Sequence, residues 1–280
     1  MTKQTDKKSH TSEAPPAPAG LPPKATIDVK HVILVLSGKG GVGKSTVATN
    51  LATALSSHGR NTGLLDLDIH GPNIPKMLGI ENERPSFLGK TIEPVHVTGT
   101  LAVMSMGFLL PDASTPVVWR GPMKMAAIRQ FLEEVHWGAL DYLIVDLPPG
   151  TGDEALTVAQ LAPNVQGAVI VTTPQEVAVI DALKAVKFIE KLELPVIGII
   201  ENMSGMTCPH CNAAIDLFGK GGGENAAKDL GVPFLGSIPL DPAMVQSGDE
   251  GRPFVLRHAD TPTWKAVDSI MENLVARIES

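Results

Sequence analysis

Two cysteines in 280 residues cannot build a disulfide framework. That excludes a stapled secreted scaffold and points to a reducing compartment. Positive charge is also short: 23 Lys and Arg stand against 30 Asp and Glu, for a formal charge of −7. No general cationic field is left to draw nucleic acid or an anionic bilayer. Aromatic residues are few, with Tyr142 as the single tyrosine beside three Trp and seven Phe, so nothing interleaves aromatic and basic side chains as a base-stacking surface does. No apolar run approaches the ~18 residues of a membrane span. The longest, such as Gly167–Val171 and Val196–Ile200, have the length of buried strands. The first 24 residues carry Lys3, Lys7, Lys8, Asp6 and Glu13, then Pro15, Pro16, Pro18, Pro22 and Pro23. They offer no apolar core for a signal peptide, and their acids and lack of Arg do not fit a mitochondrial presequence. Residues 1–24 are expected to form a disordered arm, on a cytoplasmic protein that binds neither nucleic acid nor membrane.

What remains is 43% apolar, enough to bury a core in one domain spanning residues 25–280. Short β-branched runs alternate with segments of helical period, the pattern of repeated βαβ units around a mainly parallel, doubly wound α/β sheet. Strands are expected at Val32–Leu36, Thr62–Leu67, Leu101–Met106, Tyr142–Asp146, Gly167–Val171, Val196–Ile200 and Phe234–Ile238. Helices are expected at Ser45–Ser57, Lys124–Val135, Glu154–Leu161, Val177–Leu192, Glu224–Leu230 and Thr263–Ile278, punctuated by Pro163, Pro174, Pro195 and Pro233. In such a sheet the chemistry sits at the carboxyl ends of the strands. Two stretches break the rhythm, Glu81–Gly99 and Ser204–Gly223, and loops that long inside a compact domain are usually functional or disordered.

Gly38-x-x-x-x-Gly43-Lys44-Ser45 satisfies the Walker A pattern and lies between an apolar strand and a helix, as a P-loop must. Gly38, Gly40, Gly41 and Gly43 let the backbone around Lys39, Val42 and Thr46 curl so that successive N–H groups face phosphate oxygens, with the helix presenting its positive end to the same anion. Lys44 is expected to reach the β- and γ-phosphates of ATP and Ser45 to hold Mg²⁺. Asp146, at the tip of Leu143-Ile-Val-Asp146, is assigned to the Mg²⁺ shell, because phosphoryl transfer needs a metal shell and an oriented water more than covalent chemistry. Asp66, in Leu65-Asp-Leu-Asp68, is read as a cap or turn residue. Asn202, just past a strand, can offer its amide to the adenine edge.

A lysine directly after the first glycine, Lys39, resembles the deviant Walker A motif of the MinD, ParA and nitrogenase-iron-protein superfamily of P-loop NTPases. The resemblance implies that Lys39 crosses a two-fold axis to the partner's nucleotide in a sandwich homodimer; the alternative is a solvated loop lysine. It also implies a first switch in which Asp68 positions the attacking water, a second switch at Pro148–Asp153 that senses the γ-phosphate, and Pro239-Leu240-Asp241 closing over the base.

Cys208-Pro209-His210-Cys211 contains both cysteines. A two-residue spacing lets two thiolates share one soft metal centre, but a stable site needs four ligands and one chain supplies two. Paired chains would supply four, enough for one bridging [4Fe–4S] cluster. Structural zinc bridging a dimer and a redox dithiol are the other readings. His210 is expected to be an exposed spacer.

Ser37–Thr46, Leu65–Asn73, Met104–Phe108, Trp119–Pro122, Asp146–Asp153, Glu201–Gly205, the cysteine pair and Phe218–Glu224 together resemble the Mrp/ApbC-type iron–sulfur cluster carrier ATPases, from about Leu21 to the C-terminus. The resemblance implies a labile cluster held at a homodimer interface and delivered to recipient apo iron–sulfur proteins, with ATP turnover tied to that cycle. Because the sequence departs from many members in lacking an extra N-terminal domain and an N-terminal cysteine cluster, no additional stable cluster is expected. The rival is a MinD/ParA-like positioning ATPase with a zinc or redox CxxC; its membrane form needs a basic amphipathic tail, whereas the segment Asp268–Ser280 is acidic. Trp119 and Arg120 are read as packing and a surface ion pair.

Overall fold

The computed structural model describes residues 23–110, 121–208, 210, 211 and 213–280. Most of the expected arm, together with Trp119, Arg120 and Pro209, lies outside them. In chain order the elements are β1 (Val29–Leu36), α1 (Lys44–Ser57), β2 (Thr62–Asp66), α2 (Ile74–Met77), β3 (Ser86–Leu88), β4 (Thr91–Glu93), β5 (Val95–Thr98), β6 (Leu101–Ser105), a 3₁₀ turn (Met106–Leu109), α3 (Gly121–Glu133), β7 (Leu140–Asp146) and α4 (Asp153–Leu161). There follow β8 (Val165–Thr172), α5 (Glu176–Lys191), β9 (Val196–Glu201), β10 (Met206–Thr207), β11 (Ala214–Ile215), α6 (Gly222–Leu230), β12 (Phe234–Ser237), α7 (Pro242–Asp249), α8 (Phe254–Arg257) and α9 (Pro262–Ile278).

Eight strands form one sheet in the order β12-β9-β8-β1-β7-β2-β6-β5. Every pairing in it is parallel except β5 with β6. All positions of β2 and of β6 are buried, which requires helices over both faces and explains why these strands read as unbroken apolar runs rather than alternating ones. Helix α1 packs with α8 and α9, α3 with α4, and α5 with α6. The core runs along the sheet centre from Ile33, Leu34 and Leu36 to Leu64, Leu65, Tyr142 and Ile144.

The two rhythm-breaking stretches are ordered into small additions. Residues 81–99 contain the β3–β4 hairpin and the antiparallel edge strand β5, and residues 204–223 contain the β10–β11 hairpin. No helix among the described residues is long and apolar enough to cross a membrane.

The parallel register brings the chemistry together. Asp66 is the register partner of Asp146 and of Ser105, Val35 that of Asp146, and Thr172 that of Glu201. The carboxyl ends of β6, β2, β7, β1, β8 and β9 therefore form one rim, and the loops leaving it carry the candidate residues.

Candidate functional site

The phosphate loop joins β1 to α1. Gly41 and Gly43 have φ of 82° and 78°, the left-handed region that glycine enters without strain. Gly43 has a second constraint: a Cβ there would run into the Asn202 amide nitrogen. Gly43 also caps α1 with no side-chain hydrogen bond, whereas Asp241 caps α7 and Thr261 caps α9. The first N–H groups of α1 are thus left for an external anion. A cavity of about 190 Å³ lies over the loop, lined by Ser37, residues 39–46, Asp68, Asn73, Met77 and Pro149.

At its floor Lys44 and Asp146 form a buried ion pair, Nζ to Oδ1 at 2.6 Å. Ser45 Oγ donates to Asp146 Oδ2 at 2.6 Å, and Lys44 Nζ lies 3.3 Å from Ser45 Oγ. Burial raises the Asp146 carboxyl above its ordinary value, while Lys44 and Ser45 pull the other way. A hydroxyl and a carboxylate already in contact, with further carboxylates alongside, make an all-oxygen donor set suited to Mg²⁺. Lys44 supplies the neutralising charge that a divalent cation would otherwise bring. Ser45 and Asp146 would hold the ion, which would shield phosphate charge.

Asp66, read as a cap or turn residue, does make a local turn bond but does more than that. It is fully buried beside Asp146. Its Oδ1 accepts the Asp68 N–H at 3.0 Å, a local turn bond, but Oδ2 accepts Ser105 Oγ at 2.8 Å from the neighbouring strand. Burial, then the Asp146 charge, pushes its carboxyl up to about 8. Two negative charges side by side are thereby disfavoured, and Lys44 answers the charge on Asp146. Asp68 lines the phosphate cavity, with Oδ1 accepting the N–H groups of His70 and Gly71 at 3.1 and 3.2 Å. That carboxylate braces its own loop and keeps its second oxygen for another donor.

Lys39 is half-buried at the cavity edge and makes no ion pair among the described residues. A Cβ on Gly38 would strike the Asp181 carbonyl of α5, so the loop starts pressed against that helix. Gly150 N–H donates to Ser37 O at 2.8 Å, fastening the Pro148–Asp153 segment to the phosphate loop.

A second cavity, of about 270 Å³, adjoins the first and shares Thr46, Asn73 and Met77 with it. Asn202, Met203, Pro239, Leu240 and Asp241 line it, so the residues expected around the base do converge there. Their side chains are partly engaged. Asn202 Nδ2 donates to Val42 O at 2.9 Å, tying the end of β9 to the phosphate loop. Asp241 accepts Ala243 N–H at 2.9 Å and Thr263 Oγ1 at 2.6 Å, so its carboxylate fastens α7 and α9.

The cysteines sit on the loop between β10 and β11, closed by Cys208 N–H donating to Ala213 O at 2.9 Å. Cys211 is exposed and Cys208 partly so. Backbone N–H groups of His210 and then Cys211, with the Cys211 side chain, lower the Cys208 thiol below its ordinary value. A thiol lowered in this way gives up its proton to a metal more readily. No cluster of three or more His, Cys, Asp or Glu side chains that could hold a metal occurs among the described residues. The pair therefore offers two donors per chain.

Sequence reasoning missed Glu201, whose buried carboxylate bonds Ser204 Oγ and the N–H groups of Gly221 and Gly223. An acid ending an apolar strand, as Asp66 and Asp146 do, was the available signal.

Residues 28–275 match the family model described as ParA: NUBPL iron-transfer P-loop NTPase. The iron-sulfur cluster carrier protein of Methanocaldococcus jannaschii is 54% identical over 251 residues, covering 90% of this chain and 86% of that protein. The cytosolic Fe-S cluster assembly factor NUBP2 homolog of Nematostella vectensis is 49% identical over 257 residues, covering 90% and 95%. Among solved structures, a nucleotide-binding protein of Archaeoglobus fulgidus in complex with ADP superposes with a TM-score of 0.71 at 38% identity, covering 85% of this chain and 91% of its own.

Proposed function

We infer that this chain, which belongs to the NUBPL iron-transfer P-loop NTPases of the ParA family, is an ATP-dependent iron–sulfur cluster carrier that receives a cluster on Cys208 and Cys211 and passes it to recipient apoproteins. The observation that carries the reading is the pairing, on one rim of the sheet, of a complete phosphate loop with a thiol pair that has two donors and, among the described residues, no more. Two such pairs, one from each chain of a homodimer, match the four thiolates of a [4Fe–4S] cargo. A cargo shared by two chains can be released by relative movement of the subunits, whereas one enclosed by a single chain cannot.

In this reading Lys44 leaves Asp146 for the β- and γ-phosphates of ATP, and Ser45 and Asp146 hold Mg²⁺. Asp68 orients the attacking water through its free oxygen, and Lys39 neutralises charge at the partner's nucleotide. Asn202 and the backbone of residues 239–241 enclose the base. The segments 68–73 and 148–153 respond to the γ-phosphate, and hydrolysis resets the grip on the cargo. The protein works in the cytosol, the compartment in the name of the Nematostella relative, where thiols stay reduced.

Anaerobic reconstitution of the wild type, Cys208→Ala and Cys211→Ala, followed by iron, zinc and acid-labile sulfide analysis and the mass in solution, tests this. The wild type should hold about four irons and four sulfides per two chains, and each variant should lose most of them. Equal iron in all three removes the cysteines from the function. Zinc without sulfide replaces the carrier reading with a structural metal.

A further inference from the structure

Between the phosphate loop and the cysteine hairpin lies a carboxylate that the function described so far does not use. Glu201 ends β9 and is fully buried. A buried carboxylate is tolerated only when its oxygens are satisfied. No cation pairs with it among the described residues. Its Oε1 accepts from Ser204 Oγ and from Gly221 N–H at 2.9 Å, and its Oε2 accepts Gly223 N–H at 2.6 Å.

The segment Gly219-Lys-Gly-Gly-Gly223 copies the composition of the phosphate loop. Gly221 enters α6 at φ 80° as Gly43 enters α1 at 78°. In both, backbone N–H groups at a helix start form a nest for an anion. At α6 the anion is internal, because Glu201 fills the nest. A Cβ on Gly222 would strike the Pro174 carbonyl, and one on Gly223 would press on Thr172 and Glu201 at 3.0 to 3.2 Å. The close approach is thus built into the sequence.

Ser204 opens the excursion that carries the cysteines, and Gly221 to Gly223 close it. One carboxylate therefore fastens both ends of residues 204–223. The residues beside it fasten the same strand end to the nucleotide side. Asn202 donates to Val42 O in the phosphate loop, Ser204 N–H to Ile238 O at 2.9 Å, and Leu240 N–H to Gly205 O at 2.8 Å.

We propose that Glu201 is the positioning residue that couples the phosphate loop to the cysteine pair. Its carboxylate makes residues 201–205 and the base of the cysteine loop one rigid unit, so that a displacement at Val42 reaches Cys208 and Cys211. The role in carriage rests on the carrier reading; the mechanical coupling does not, and it is measured on protein without cluster.

Hydrogen exchange of the amides in residues 206–215 is followed in the cluster-free full chain, with and without ATP, for the wild type and Glu201→Gln. The amide keeps the shape of the carboxylate but sets a donor against one of the glycine N–H groups. In the wild type ATP should change the exchange rates by at least about fivefold, the low end of ordinary coupling. In Glu201→Gln the ATP-dependent ratio should fall to within about twofold of unity while the ATP dissociation constant stays within about twofold. A merely structural role would alter exchange equally with and without ATP, leaving the ratio intact, and that result overturns the proposal. So does a wild type whose cysteine loop ignores ATP. Should Glu201→Gln fail to fold, Ser204→Ala, which keeps the carboxylate and both backbone bonds, is read instead, and an undiminished ratio there overturns it too. None of these outcomes touches the iron analysis, so the carrier reading and the coupling fail separately.

Discussion

Replacing Asp66 with asparagine should remove most of the loss of stability that the nucleotide-free wild type suffers as pH rises above neutrality. The Asp66 carboxyl is pushed up to about 8 by burial and by the neighbouring Asp146 charge, against about 3.9 in an unfolded chain. Between those values the folded protein holds a proton that the unfolded chain has released, so stability falls as pH rises, and it levels off above the folded value. From pH 6 to pH 9 the wild type crosses about two units of that slope at about 1.4 kcal/mol each, a loss on the order of 3 kcal/mol. Asparagine imitates the protonated acid. It can still accept the Asp68 N–H, and Ser105 Oγ, which already accepts Gly107 N–H at 2.9 Å, can take an amide hydrogen as well. The groups facing Asp66 are Asp146, Lys44 and the Asp68 backbone, and all of them remain in the variant. The difference between the two proteins therefore isolates the Asp66 carboxyl, together with its coupling to Asp146, from every group that behaves alike in both. Urea unfolding of both at pH 6, 7, 8 and 9, without nucleotide or divalent cation, measures it. The two should match within about 1 kcal/mol at pH 6, and the variant should be ahead by about 3 kcal/mol more at pH 9. A difference that stays constant across the four pH values refutes the raised carboxyl.

Asp146→Asn leaves the buried Lys44 ammonium without its partner, and the urea midpoint without nucleotide should fall by an amount worth about 3 kcal/mol; an unchanged midpoint would mean that the ion pair does not persist in solution. Gly43→Ala forces a left-handed alanine into the Asn202 amide. It should cost about 1–3 kcal/mol by thermal or urea unfolding and abolish ATP binding by calorimetry. Lys39→Ala should leave the ATP affinity of the single chain within about twofold yet prevent ATP-dependent dimerisation in sedimentation velocity, since in the proposed dimer Lys39 acts only across the two-fold axis.

The parallel core was legible because strands covered on both faces read as short apolar runs, and seven such runs coincide with β1, β2, β6, β7, β8, β9 and β12 to within three residues at each end. The additions were not. Strands β3 and β4 have three residues each, β10 and β11 two, and β3 and β11 are exposed at every position, so neither alternation nor apolarity marks them. The phosphate loop announced itself by local spacing. Asp66 did not, because its burial depends on Ser105 and Asp146, brought alongside by pairing with β6 and β7. The role of Glu201 was hidden for the same reason: its place at the end of an apolar strand was a signal, but its partners arrive from residues 204, 221 and 223, which no local spacing announces.

Why a carrier should keep its cysteines on so slight an element follows from the same geometry. A two-stranded ribbon of two residue pairs has almost no stability by itself. Its shape is supplied at the base by the Glu201 bonds and at the tip by the backbone N–H groups that turn toward the Cys208 sulfur. One exposed and one partly exposed thiol on such a hairpin would, in the proposed dimer, bind a cargo weakly alone and firmly when a second pair closes from the opposite side. The strength of that proposed grip would then be set by how the two hairpins are held, rather than by the donors, which never change. A phosphate loop tied to the root of the hairpin through Val42 and Asn202 is placed to adjust that hold, whereas one on a distant strand would need a separate transmitting element. On the proposed mechanism, the adjacency of β1, β8 and β9 in the sheet would let one nucleotide govern release.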